Sequence, residues 1–114
     1  MTTTVNRETI NDRFKLAFHR VVARRLKQDP ALLEGARAIV RGWSEEASAP
    51  DFVAEWGDLL ARPMDDVRRT IVRRNEDLKR LRVSSPFSML GEQVMDDAAR
   101  MKLWRIVKKP YLAT

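Results

Sequence analysis

The residues in this chain best equipped for chemistry are arginines. Arg68, Arg69, Arg73, Arg74, Lys79, Arg80 and Arg82 fall within fifteen positions. A guanidinium presents a planar fork of donors that matches phosphate or carboxylate and keeps its charge at any ordinary pH. The cluster therefore suits anion binding rather than bond breaking. Asp65 lies three and four residues before Arg68 and Arg69 and offsets part of their charge. Arg73 and Arg74 have no acid one turn earlier, and Arg80 and Arg82 have little local pairing. With Met64, Val67 and Ile71 turned inward, Arg69 and Arg73 point outward. Arg69, Arg73, Arg74, Lys79, Arg80 and Arg82 are the candidate nucleic-acid contacts. Contact with a protein partner and a plain solvated face are the rival readings.

Other reactive residue types are sparse. There is one histidine, His19, which reads as a flank residue of a helix and cannot form a multi-histidine metal site. Glu45 and Glu46 are adjacent, so on a helix they do not face a common point, and no second acid is placed opposite them for paired carboxylate catalysis. Cysteine is absent, which excludes disulfides, thiol catalysis and thiolate metal sites. Ser84-Ser85-Pro86 reads as a helix cap followed by a first-turn proline rather than as a modification site. No glycine-rich phosphate loop, nucleophile elbow or zinc-protease motif occurs. The sequence predicts a protein that is not an enzyme, with no metal and no cofactor.

The elements that position these residues are helical. One hundred and fourteen residues with 44% apolar content suffice for one modest core, and no alternating β-branched run appears. The expected fold class is all-α: a compact bundle of five to six short helices over residues 1–90, then a C-terminal helix and docking arm over residues 91–114. After a frayed start at residues 1–6, a first helix runs from Arg7 to Lys27 with Ile10, Phe14, Ala17, Phe18 and Val21 inward and Val22 and Leu26 drifting to one side. Its cations, Arg13, Arg20, Arg24, Arg25 and Lys27, lie mostly off that face and read as solvated or as phosphate contacts. Asp29-Pro30 starts a second helix, capped by Asp29 and carrying Leu32, Leu33, Ala36, Ile39, Val40 and Trp43 on one face. Phe52, Val53, Trp56, Leu59 and Leu60 make a third. Arg62-Pro63 is a corner with Pro63 at the first position of a fourth, which imitates a helix-turn-helix. Asn75 caps a fifth, anchored by Leu78 and Leu81, and Ser85-Pro86-Phe87 restarts the chain. Trp43 and Trp56 are both expected as core anchors.

Charge is unevenly placed. Residues 1–30 carry seven basic and three acidic side chains; residues 31–67 carry three and eight; residues 68–82 carry seven and two; residues 83–114 carry five and three. An acidic middle between basic segments suits oriented contact with an anionic partner. No apolar stretch approaches a membrane span and residues 1–6 do not resemble a secretory signal, so a cytoplasmic, non-membrane protein is expected.

The C-terminal segment presents a split face. Val94, Ala98 and Met101 share one side of a continuous helix, whereas Leu103, Ile106 and Val107, flanked by Trp104, point nearly opposite. Either a second chain covers the later face or the helix breaks near Met101. Leu103, Trp104, Ile106, Val107 and Tyr111 are therefore the candidate partner-binding residues.

In order, Trp56, Leu59, Leu60, Pro63, Val67, Ile71, Leu81, Arg82, Ser84, Ser85, Pro86 and Phe87 form a pattern that resembles small helical bacterial antitoxins of toxin–antitoxin pairs. The resemblance covers roughly residues 30–90. It implies a protein that neutralises a cognate protein toxin by direct contact and represses its own operon through DNA. The alternative expectation is a homodimeric nucleic-acid-binding regulator without a toxin partner.

Overall fold

A computed structural model describes residues 7–112. The start expected over residues 1–6, and the last two residues of the expected arm, lie outside the described residues. The order is α1 (Arg7–Gln28), α2 (Ala31–Ser44), α3 (Asp51–Leu60), α4 (Met64–Thr70), α5 (Glu76–Val83), a 3-10 segment (Pro86–Gln93) and α6 (Asp97–Leu112). No strand occurs among the described residues, and the fold is all-α.

Local chemistry sets the boundaries. Asn75 Oδ1 accepts from Leu78 N–H at 2.8 Å and caps α5. Ser85 Oγ accepts from Phe87 N–H at 3.1 Å, with Pro86 in the first turn of the 3-10 segment. At the start of α2 the expected side-chain cap on Asp29 is not formed; the Asp29 carbonyl accepts from Leu32 N–H instead. Pro63 sits one place earlier than expected, in the cap position of α4. Gly91 has φ 54 and ψ −122, a conformation that L side chains rarely adopt, and it breaks the 3-10 segment before α6.

The core runs through the middle of the molecule. α1 packs against α6, α4, α5 and α2, while α2 packs on the 3-10 segment and α3. Gly35 admits Leu90 closely, since a Cβ there would stand 3.1 Å from Leu90 Cδ2. Trp56 is fully buried, and its Nε1–H donates to the Leu81 carbonyl at 3.0 Å. Phe87, also fully buried, meets Trp56 edge-on at 6.2 Å. Trp43 differs from the expectation. It lies near the end of α2, half-buried, edge-on to Phe52 at 6.0 Å.

α1 buries a wider arc than the expected stripe. Leu16, His19, Val22 and Leu26 are buried together with Phe14 and Phe18, because the helix has neighbours on both flanks. The split face of the C-terminal segment resolves differently from either expected alternative. The chain breaks between Gln93 and Asp97, ahead of Met101, so the buried Val94 is not on α6 at all. Ala98 and Met101 face solvent, and Leu103, Trp104 and Val107 pack on the core.

The two tryptophans should separate in a urea titration. Trp56→Ala should cost about 3–5 kcal/mol, the loss for a large buried aromatic, and Trp43→Ala about 1–2 kcal/mol. Equal losses would contradict the placement of Trp43 at the rim.

Candidate functional site

The arginine cluster is divided by the fold. Arg82 is buried, 4% exposed, and its Nη1 donates to the carbonyls of Ile71 at 3.1 Å and Arg73 at 2.8 Å. Burial pushes its pKa down; the charge of Asp12 opposes that shift and the charge of Arg20 adds to it. It is a staple on the end of α4 and not an accessible phosphate contact, which corrects its assignment to the nucleic-acid set. Local spacing does not reveal this, because the two carbonyls lie 11 and 9 residues away. Arg80 is also less free than its local surroundings suggest. It bonds Glu55 of α3 at 2.6 Å and approaches Asp77 at 3.7 Å, and the Glu55 bond raises its pKa.

The remaining cluster residues sort in the same way. Lys79 pairs with Asp12 of α1 at 3.4 Å. Arg69 pairs with Asp66 one turn earlier. Arg68 donates through Nε to the Ala23 carbonyl of α1 at 2.7 Å and lies 3.6 Å from Asp65. Arg73 and Arg74 are exposed, and neither side chain has a hydrogen bond or ion pair among the described residues.

The candidate partner-binding residues divide as well. Trp104 stacks flat on Phe14 of α1, with centroids 3.8 Å apart and an angle of 5° between rings. Lys108 lies over the other part of this stack, 5.3 Å from the Trp104 centroid. Arg100 lies 5.1 Å from the Phe14 centroid. Leu103 and Val107 are half-buried against the core, and Tyr111 is half-buried. Ile106 remains 58% exposed. Beside it, a groove of about 400 Å³ runs between α1 and α6, lined in part by Val21, Val94, Met95, Leu103 and Ile106, and by the charged residues Arg25, Asp96 and Lys102. Arg25 is fixed there by bonds to the carbonyls of Val94 at 3.1 Å and Gln93 at 3.3 Å. A larger cavity, about 660 Å³, lies between α2 and α3 over Val40, Val53 and Gly57, and none of the candidate residues lines it.

The structure also forms a pairing that the sequence reading missed. His19 is fully buried, which corrects its expected place on a helix flank. Its Nδ1 lies 2.6 Å from the Lys15 carbonyl and its Nε2 lies 2.7 Å from Ser85 Oγ. A carbonyl only accepts, so Nδ1 carries the proton and Nε2 accepts from the Ser85 hydroxyl. Ser85 Oγ in turn accepts from Phe87 N–H. A hydroxyl bonded to an imidazole has the elements of an activated nucleophile, but Ser85 is only 3% exposed and Trp56 and Phe87 cover the ring. The pair joins α1 to the start of the 3-10 segment. The signal was present in the helical spacing, since His19 falls on the same arc as Leu16, Val22 and Leu26. Among the described residues, no group of three or more His, Asp or Glu side chains is placed to hold a metal ion.

Burial lowers the His19 pKa from 6.5 to about 4; the charges of Arg82 and Lys15 add to this and the Lys15 carbonyl bond opposes it. The unfolded chain therefore binds this proton more readily than the folded one. Stability should be fully present above about pH 6.5 and fall as pH drops toward 4, by up to about 3 kcal/mol from this group. His19→Gln should flatten that fall in urea titrations across the window. An equally steep fall in the variant would assign the acid sensitivity to other groups. For α6, Trp104→Ala should cost about 2 kcal/mol, since a stacked aromatic pair adds to the lost burial. A variant as stable as the parent would mean that α6 does not rest on Phe14.

Comparison of the chain with protein-family models, with curated proteins and with solved structures finds no match.

Proposed function

We propose that this protein is an antitoxin-like binding protein that neutralises a cognate protein toxin by direct contact, with its contact surface on α6 and the groove beside it. The observation that carries the reading is Ile106. A β-branched apolar side chain is held 58% exposed on a helix whose neighbouring positions Leu103, Trp104 and Val107 are packed against the core. Burying such a side chain is worth about 1.5–3 kcal/mol, and here the helix beneath it is already fixed, so little ordering cost opposes that gain. The apolar groove floor suits a partner helix with an apolar stripe.

The reading keeps the expected arm but changes how it works. Leu103, Trp104 and Val107 serve as the foundation of the contact surface, and Ile106 with the groove serves as the contact. The Ser85–His19 pair is committed to the core, which favours binding over catalysis as the role of the chain. Contact with operator DNA belongs to the same proposal, whereas a homodimeric nucleic-acid-binding regulator without a toxin partner is the alternative to it.

The test is co-expression with a toxin-like product of an adjacent gene. The parent protein should relieve growth arrest and co-elute with that product. Ile106→Asp should weaken the complex by about 2 kcal/mol, the scale of an interface hot spot, or roughly thirtyfold in Kd, without lowering the melting temperature. Full neutralisation by Ile106→Asp, or a failure of the two proteins to associate, would contradict the proposal.

A further inference from the structure

The solvent side of α1 carries a single stripe of cations. At 100° per residue, positions 13, 20, 24 and 27 fall within an arc of about 60° and span about 21 Å along the axis. Arg13, Arg20, Arg24 and Lys27 are all exposed. None has a hydrogen bond or ion pair among the described residues. On one side of the stripe, Arg13 and Arg74 line one cleft of about 270 Å³, which extends the cationic surface onto the turn between α4 and α5. The acids of that cleft are Asp12, already paired with Lys79, and Glu76 at the start of α5.

We infer that this stripe, Arg13, Arg20, Arg24 and Lys27 with Arg74 beside it, binds the phosphate backbone of duplex nucleic acid without reading its sequence. Three features select that occupant. Charge is complementary, and four of the five groups are arginines, suited to phosphate. The stripe has no apolar centre: the small side chain of Ala17 is the one interruption, whereas a protein interface or a membrane-surface helix needs a substantial apolar patch. It also has no aromatic group on which unpaired bases stack, which disfavours single strands, and the one amide of the Arg74 cleft, Asn75, has its Oδ1 committed to the Leu78 N–H, which disfavours sequence readout. A span of about 21 Å covers about six base-pair steps of one strand. The site is separate from the α6 groove, so it stands or falls independently of toxin binding.

The probe is a labelled duplex of about 20 base pairs, titrated with the full chain in fluorescence anisotropy. Binding should weaken on the order of a hundredfold between about 50 and 200 mM salt as counterion release is lost. Arg20→Ala with Arg24→Ala should lower the slope of log Kd against log salt by about two, and Arg13→Ala with Arg74→Ala by a similar amount. Arg105→Ala with Lys109→Ala, removing equal charge from α6, should leave the slope unchanged, and two duplexes of unrelated sequence should bind alike. All five positions are exposed, so the melting temperatures should hold. Absence of binding at the lower salt overturns the inference, as does an equal loss in the α6 variant. Tighter binding to a single strand of the same length, or to vesicles containing phosphatidylserine through the same residues, overturns the duplex assignment.

Discussion

A neutral imidazole at the centre of the molecule fixes how its longest helix is turned. His19 donates to the Lys15 carbonyl one turn back and accepts from Ser85 at the head of the 3-10 segment, so α1 is pinned in rotation as well as in position. With that ring turned inward, Leu16, Val22 and Leu26 lie in the core, while Phe14 meets Trp104 of α6. The remaining arc, with Arg13, Arg20, Arg24 and Lys27, is left to solvent. A buried imidazole is stable only if both nitrogens are satisfied without a charge. The serine and the carbonyl meet that condition together, and neither would alone.

Arginine does two jobs in this chain, and the fold decides which residue does which. Gly91 is the one described residue with positive φ, so no described helix closes in the left-handed cap that commonly satisfies its last carbonyls. Guanidinium groups reach those carbonyls from elsewhere. Arg37 bonds the Leu60 carbonyl at the end of α3 at 2.7 Å, Arg82 bonds two carbonyls just past α4, and Arg25 bonds two at the end of the 3-10 segment. Cations placed there also meet the negative helix end favourably. A share of the excess positive charge is thus structural, and the surface field comes from the cations left over.

That division explains what the sequence could and could not disclose. Helix positions, the Asn75 and Ser85 caps and the burial of Trp56 follow from local spacing and are legible. His19 was legible in part, since helical spacing alone puts it between buried leucines. A single apolar face for α1 leaves it on the flank, whereas α1 has neighbours on both sides. Arg80 and Arg82 were not legible: Glu55 and the α4 carbonyls come near them only once the chain is folded. The split face of the C-terminal segment dissolved for a simpler reason, since Val94 belongs to the turn before α6.

The most direct test of this account is the protonation state of His19, read from the ring nitrogen shifts of the histidine-labelled protein by NMR. At pH 6, below its ordinary pKa of 6.5 and above the lowered value of about 4, the ring should be neutral, with the proton on Nδ1 and a hydrogen-bonded, unprotonated Nε2. A positively charged ring, or a proton on Nε2, would contradict this, and with it the rotation of α1 that sets out both proposed surfaces.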